Sequence, residues 1–185
     1  MINITLITGN LRKVESAQIA LDKFGIKVLQ EKVDTPEIQD KNIRRIAEYS
    51  AKFAAEKLNK AVIKIDVGFE IDALNGFPGP FSKFINGWLS PEKMLRLLEN
   101  EPNRKAKFID VVAYCEPGRK PVSFEAETIG KISNKPLGEN GWGIDKIFIP
   151  CDFDDTLASL SDKERIKVWN TEHWSKLAQF IIKGR

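Results

Sequence analysis

The chain has 185 residues, enough for one α/β domain or two closely associated lobes with a substantial hydrophobic core. Its 29 Lys and Arg residues nearly balance its 26 Asp and Glu residues, and the net charge of +3 is too small to indicate a nucleic-acid-binding surface by itself, so we expect no nucleic-acid partner. No apolar run reaches the roughly 18–20 residues that span a bilayer, and the N-terminal pattern is that of a strand rather than a signal peptide. We therefore expect a cytoplasmic protein without a membrane partner.

The first half of the chain alternates strand-like and helix-like segments. A run of β-branched residues predicts a strand at 2–8, and periodic apolar residues predict a helix at 11–24. The elements expected next are a strand at 26–33, a helix at 43–58 and a strand at 61–66. This alternation predicts a parallel or mixed sheet covered by helices.

The second half has a different pattern. Two long strand-like runs, 106–115 and 121–132, are joined by a turn that contains Pro117 and Gly118, which predicts a hairpin. A helix is expected at about 91–99, and a single C-terminal helix at about 162–182. We expect an α/β fold of two lobes within one domain, with a ligand in the groove between them. The expected first lobe comprises about 1–75 and 162–182, and the second about 76–155.

Thr8, Gly9 and Asn10 link the first strand to the first helix. A strand that ends in this way and opens a helix presents backbone N–H groups and the positive end of the helix dipole to an anion. Lys13, in the first turn of the helix, adds a positive charge that suits a phosphate. The alternative is an ordinary Gly-Asn turn with a solvated lysine.

Two carboxylates stand at positions that suit a cation. Glu37 follows Pro36, which fixes a turn after the second strand. Asp66 follows an apolar strand, where an isolated carboxylate is costly unless it binds a cation or hydrogen-bond donors. Because Mg²⁺ prefers one or two carboxylates with waters and phosphates, Glu37 and Asp66 are candidate Mg²⁺ ligands. For Glu37, the alternative is a solvent-facing acid in a loop.

Two turn-rich loops contain candidate substrate-binding residues. Ser82 follows a segment with two prolines and two glycines and can face an anion, although a plain turn is the simpler interpretation. Trp142 lies between Gly141 and Gly143, so one face of its ring can remain open for stacking on a purine. Asp145 could accept hydrogen bonds from the N–H groups of a base. The alternative for Trp142 is a side chain within the core.

Taken in order, these clusters resemble the family of non-standard purine nucleoside triphosphate pyrophosphatases, which includes inosine triphosphatase. The resemblance covers nearly the whole chain and rests on the ordered combination of these pieces, the last of which is the run from Gly141 to Asp145 followed by Ile147, Phe148 and Pro150. It implies a two-lobed α/β fold with a nucleotide cleft, often dimeric. It also implies Mg²⁺-dependent hydrolysis of ITP, dITP or XTP to the monophosphate and pyrophosphate.

The resemblance also implies roles for individual residues. Those assigned to the triphosphate are Thr8, Gly9, Asn10, Lys13, Lys52 and Ser82. Glu37 and Asp66 match the metal-binding acids, and Asp66 also matches the proposed general base for the attacking water. Lys13 is also assigned a catalytic role, because its positive charge neutralises charge on the phosphates during attack by water. At the base, Trp142 matches the stacking aromatic, with Gly143 and Asp145 beside it, and Lys163 lies on the helix that reads the purine.

The chain departs from the family pattern in two places. The family has Asp-Asp-Ser-Gly where this chain has Ile65-Asp66-Val67-Gly68, so one carboxylate and one hydroxyl are absent. The C-terminal segment also lacks the family's Ser-His-Arg, and its only histidine, His173, lies on an apolar stripe that favours a structural role. One interpretation is a pyrophosphatase with altered base preference. The alternative is a nucleotide-binding or interaction protein on the same fold without turnover.

Overall fold

The computed structural model describes residues 2–184. Its strands are β1 (Ile2–Ile7), β2 (Ile26–Glu31), β3 (Val62–Ile71), β4 (Pro78–Gly79), β5 (Lys105–Cys115), β6 (Val122–Ile132) and β7 (Phe148–Pro150). Its α-helices are α1 (Leu11–Asp22), α2 (Ile43–Leu58), α3 (Ser82–Trp88), α4 (Pro91–Arg96), α5 (Asp162–Val168) and α6 (Glu172–Ile182). Short 3-10 helices occupy Asp72–Leu74, Gly143–Lys146 and Leu157–Ser159.

The strands form one seven-stranded mixed sheet. Its order is β2-β1-β3-β5-β6-β7, and β4 pairs with β3. β1 is parallel to β2 and to β3, with Thr5 opposite Val62, whereas the β3–β4 and β6–β7 pairs are antiparallel. The helices flank this sheet, which confirms the predicted α/β class.

The chain divides into two compact units. The first comprises the described residues within Met1–Val67, Asp110–Ala126 and Thr171–Arg185, and the second comprises Gly68–Ile109 and Glu127–Asn170. The lobe boundaries and the ligand groove expected from the sequence stay predictions.

The core of the first unit forms where α1 and α6 bury their apolar faces against strands. Leu21, Leu6, Ile63, Val112 and Leu177 are fully buried members of this cluster. Asn10 begins α1, because its side-chain Oδ1 accepts a 3.0 Å hydrogen bond from the Arg12 N–H. The Asn42 side chain caps α2 in the same way, and Asn59 ends α2 in a left-handed conformation.

The second unit has an aromatic core. The Phe69 and Phe108 ring centroids are 4.6 Å apart, and Phe148 packs edge-on against both rings. The ring of Trp169 lies edge-on against Phe108 at 5.3 Å. Such tilted and edge-to-face contacts add to the stability that burial alone provides.

The prediction of a single C-terminal helix at about 162–182 was wrong. α5 ends at Val168, and α6 begins at Glu172. Trp169 adopts an extended conformation, and the Asn170 N–H donates a 3.1 Å hydrogen bond to Thr128 Oγ1 on β6. These interactions interrupt the helix, so Ile166 and Trp169 do not share a helical stripe with His173. His173 is buried in α6, with its ring 5.1 Å from that of Trp174.

Within residues 2–184, no helix combines the length and apolar character needed to cross a membrane.

Candidate active site

The segment after β1 begins α1 and leaves space beside the backbone. The Asn10 N–H donates a 3.1 Å hydrogen bond to Thr8 Oγ1, and the Asn10 side chain caps the helix. A Cβ atom built on Gly9 meets no atom within 4 Å among the described residues, so the backbone is open to a ligand at this point. Thr8, Gly9 and Asn10 therefore lie together at the start of a twelve-residue helix, where an anion is electrostatically favoured.

Lys13 joins this helix to the strand that contains Asp66. Its Nζ donates a 3.0 Å hydrogen bond to the carbonyl oxygen of Ile65, the residue before Asp66. Burial lowers the pKa of Lys13, and the carboxylates of Asp66, Asp110 and Glu37 oppose this change. The structure thus brings the predicted phosphate-binding lysine into the field of both predicted metal-binding acids.

Asp66 has an unsatisfied carboxylate oxygen. Its Oδ2 is buried and has no hydrogen-bond partner among residues 2–184. Burial raises the pKa of Asp66, Lys13 and Lys64 oppose the rise, and Glu37 adds to it. Because a buried, unpaired carboxylate oxygen is costly, this atom is suited to bind a cation or a donor from outside the described residues.

The loop that contains Glu37 is held by two hydrogen bonds. Lys64 Nζ donates to Thr35 Oγ1 at 3.0 Å, and Ser50 Oγ on α2 donates to the Pro36 carbonyl at 3.4 Å. Glu37 itself is exposed. The two bonds restrain the backbone just before Glu37, while the Glu37 carboxylate remains accessible.

A further carboxylate, Asp110 on β5, was not predicted from the sequence. Burial raises its pKa to about 6, and the Lys13 ammonium opposes the rise. The signal that could have identified it is an acid inside the apolar strand of residues 105–115.

The sequence predicts two further phosphate ligands, Lys52 and Ser82. Lys52 is exposed on α2. Burial raises the pKa of the Cys115 thiol, and the positive charge of Lys52 opposes that rise. Ser82 belongs to the second unit, where it is the first residue of α3 and half-buried. Their roles at phosphate stay predictions.

Trp142 is exposed over 55% of its surface, so its ring is available for stacking and is not a core residue. The glycines on either side of Trp142 adopt positive φ angles, and neither position has space for a Cβ atom. Gly141 has a φ of +74°, and a Cβ there would lie 2.0 Å from Asp145 Oδ2. Gly143 has a φ of +52°, and its Cβ would lie 2.3 Å from Asn86 Oδ1, the atom that accepts a hydrogen bond from the Ile144 N–H. The loop around Trp142 is thereby fixed in place.

Asp145 is paired with a residue that the sequence did not indicate. Arg165 Nη2 lies 3.2 Å from Asp145 Oδ2, and Arg165 Nη1 donates a 2.6 Å hydrogen bond to the Leu157 carbonyl. The same carboxylate oxygen accepts from the Trp142 N–H at 3.3 Å. Lys163, the predicted cation of this helix, is exposed. The described second unit therefore offers Trp142, Asp145 and Arg165 as a connected group.

The residues of the first unit fit a divalent cation. No group of three or more His, Cys, Asp or Glu side chains forms a metal cage within the described range. Mg²⁺ does not need such a cage, because it retains waters and binds through one or two carboxylates together with substrate phosphates. The unpaired Oδ2 of Asp66, with Glu37 in its electrostatic range, matches this requirement.

Comparison with known proteins places the chain in a family. The Ham1 family model matches residues 4–175. The chain belongs to the Ham1 family. A relative from Methanopyrus kandleri named dITP/XTP pyrophosphatase is 46% identical over 165 residues, which cover 89% of this chain and 88% of the relative. A dITP/XTP pyrophosphatase from Methanosarcina acetivorans is 41% identical over 168 residues, covering 91% of this chain and 90% of that protein.

Solved structures of Ham1 proteins have the same fold as this chain. The Staphylococcus aureus Ham1 protein superimposes with a TM-score of 0.82 at 29% identity, covering 98% of each chain. The Coxiella burnetii HAM1 protein gives a TM-score of 0.84 at 26% identity, covering 99% of this chain and 100% of that one. The family resemblance inferred from the motifs is confirmed.

Proposed function

We propose that this Ham1 protein hydrolyses the non-standard purine nucleoside triphosphates ITP, dITP and XTP to the monophosphate and pyrophosphate. The observation that carries the proposal is the buried, unpaired carboxylate oxygen of Asp66 in the field of the Lys13 ammonium. Relatives that align over about nine-tenths of the chain are named for this activity. The alternative, a nucleotide-binding protein without turnover, is not favoured.

The residues of the first unit determine the chemistry at the phosphates. Lys13 binds and offsets phosphate charge, with the Thr8–Asn10 segment supplying the start of α1 as an anion site. Asp66 orients the attacking water and accepts its proton, and burial raises the pKa of its carboxyl, which makes it a stronger base than an exposed aspartate. Glu37 and Asp66 would hold Mg²⁺, which when bound supplies a Lewis acid that stabilises charge on the phosphate oxygens.

The residues of the second unit determine selectivity for the base. Trp142 presents an exposed ring to a purine. Asp145 and Arg165 form a fixed hydrogen-bonding pair near it, in which the guanidinium offers donors to a keto oxygen. In place of the family's Ser-His-Arg, this chain has residues that hold the α5–α6 junction, so we propose that its preference among ITP, dITP and XTP differs from that of relatives with Ser-His-Arg.

The proposal includes a homodimer in the cytoplasm. Phe84 and Trp88, four residues apart on α3, are 56% and 74% exposed, and exposed aromatic side chains on one helix face support a protein contact. Light scattering of the purified protein, compared with a Trp88→Asp variant, tests this part.

The experiment that tests the function is pyrophosphate release from a panel of triphosphates. We expect turnover of ITP, dITP and XTP by the wild type, inhibition by EDTA that Mg²⁺ reverses, and a loss of at least about 100-fold in Asp66→Asn. Asp154→Asn, at an exposed loop position, is the matched control. Equal inactivity of wild type and Asp66→Asn on every triphosphate would contradict the proposal.

A further inference from the structure

Lys64 lies beside the candidate metal site but belongs to none of the sequence motifs. It precedes Asp66 by two residues on β3, so both side chains leave the strand on the same face. The Lys64 residue is half-buried, and its Nζ donates a 3.0 Å hydrogen bond to Thr35 Oγ1. Thr35 is buried, so this hydrogen bond fixes the direction of the lysine side chain.

Lys64 and Lys13 act on one another and on the same carboxylate. Lys64 opposes the rise in the pKa of Asp66 that burial causes, as Lys13 does. It also contributes, after burial, to the lowered pKa of Lys13, because the two ammonium groups have like charge. The Lys13 ammonium donates to the carbonyl of Ile65, the residue that follows Lys64, so the two like charges lie along the same stretch of β3. A multiply charged anion bound by both would offset their repulsion.

Both ammonium groups retain hydrogen-bonding capacity. An ammonium group carries three N–H donors. Among the described residues, Lys64 uses one donor for Thr35, and Lys13 uses one for the Ile65 carbonyl. Each lysine therefore has two donors available, a number that suits an anion with several oxygens.

We propose that Lys64 is a substrate-binding residue that contacts, together with Lys13, the pyrophosphate portion of the triphosphate. This inference rests on the proposed function and adds a residue to that site. Ile65 and Val67 stand where the family has a carboxylate and a hydroxyl, so the strand end has fewer groups that bind a metal or a water. Lys64 shifts the charge compensation of the phosphates from metal ligands toward protein ammonium groups.

A purely structural role for Lys64 makes a different prediction. Such a lysine would act only by holding the Glu37 loop through Thr35. Thr35→Val removes that hydrogen bond and retains the ammonium group, whereas Lys64→Gln removes the charge. The two variants therefore separate a tether from a phosphate ligand.

The test combines calorimetric titration with inorganic pyrophosphate in Mg²⁺ buffer and steady-state hydrolysis of ITP. In Lys64→Gln we expect pyrophosphate affinity to fall about tenfold and KM for ITP to rise by a similar factor, with kcat within about twofold. Lys64→Arg should retain affinity within about threefold. Thr35→Val and the control Lys60→Gln, whose lysine pairs with Glu31 on the surface, should stay within about twofold of wild type.

Three outcomes would overturn the inference: wild-type affinity in Lys64→Gln, an equal loss in Thr35→Val, or a loss in Lys64→Arg as large as in Lys64→Gln. If Lys64→Gln does not fold, as judged by circular dichroism, Lys64→Met replaces it, because Met retains most of the apolar stem. An inert wild type would contradict the proposed function instead. Even if the wild type is inert, a loss of pyrophosphate affinity in Lys64→Gln or Lys64→Met, without a loss in Lys64→Arg or Thr35→Val, would support Lys64 as a phosphate ligand.

Discussion

The Nζ atom of Lys13 lies 3.0 Å from the carbonyl oxygen of Ile65 and donates a hydrogen bond to it. This contact joins the first turn of α1 to the strand segment that contains Asp66, across 52 residues of sequence. The lysine therefore has two tasks at once. It positions a positive charge beside Asp66, where we propose that phosphate binds, and it fixes α1 relative to that carboxylate.

Lys13→Met should reduce kcat/KM for ITP by about 100-fold, because it removes a charge-assisted contact to phosphate from a partly buried site. The expected loss of pyrophosphate binding in calorimetry distinguishes this effect from unfolding. Lys23→Met, at the other end of the same helix, is the control and should change kcat/KM by less than about twofold. Similar kinetics in the two variants would contradict the assignment of Lys13.

Asp110→Asn should change how stability depends on pH. Burial raises the pKa of Asp110 from 3.8 to about 6 in the folded protein. Between these pH values the folded state retains a proton that the unfolded chain releases, so the contribution of this group falls as the pH rises through that window. A shift of about two pKa units corresponds to about 3 kcal/mol, which is the upper limit of the gain expected for the variant above pH 6.

Urea unfolding of wild type and Asp110→Asn at pH 4, 5, 7 and 8 measures this difference. The free energies of unfolding should be closest at pH 4 and should diverge up to about pH 6, with the variant more stable at pH 7 and 8. Asp154→Asn, at an exposed loop position, should follow the wild type throughout. Parallel curves for wild type and Asp110→Asn would show that the carboxyl does not titrate differently on folding.

Arg165→Met should weaken recognition of the base. The guanidinium lies 3.2 Å from Asp145 Oδ2, so its removal frees the carboxylate that also accepts from the Trp142 N–H. We expect kcat/KM for ITP to fall at least tenfold, with a smaller loss in Arg165→Lys, which retains the charge. Lys163→Met tests the exposed lysine on the same helix and should change kcat/KM by less than about twofold. A larger loss in Lys163→Met than in Arg165→Met would reverse these assignments.

Gly143→Ala should destabilise the Trp142 loop. A Cβ at this position would lie 2.3 Å from Asn86 Oδ1, and φ is +52°. The clash and the conformational strain together should lower the free energy of unfolding by about 2–3 kcal/mol. Gly118→Ala is the matched control, since its φ is +70° but no described atom lies within 4 Å of its Cβ. It should cost about 1 kcal/mol, measured by the same denaturant titration.

The elements that could be predicted from the sequence are those with local signals. The helix expected at 43–58 has these bounds in the structure, because Asn42 caps its start, Asn59 ends it, and its apolar face repeats at helical spacing. The C-terminal helix was predicted as one piece because its break depends on Thr128, which lies 42 residues before Asn170 in the chain. A hydrogen bond over that separation leaves no local pattern.

The sequence by itself determined the α/β class and the family, because strand–helix alternation and the ordered motifs around Asn10, Asp66 and Trp142 are local features of the chain. Only the tertiary structure decided which side chains meet. The bond from Lys13 to the Ile65 carbonyl, the pair of Arg165 with Asp145 and the acid at Asp110 all depend on elements far apart in the chain. Burial then shifts the pKa of Asp66 and Asp110, and burial is a property of the packed molecule rather than of any segment.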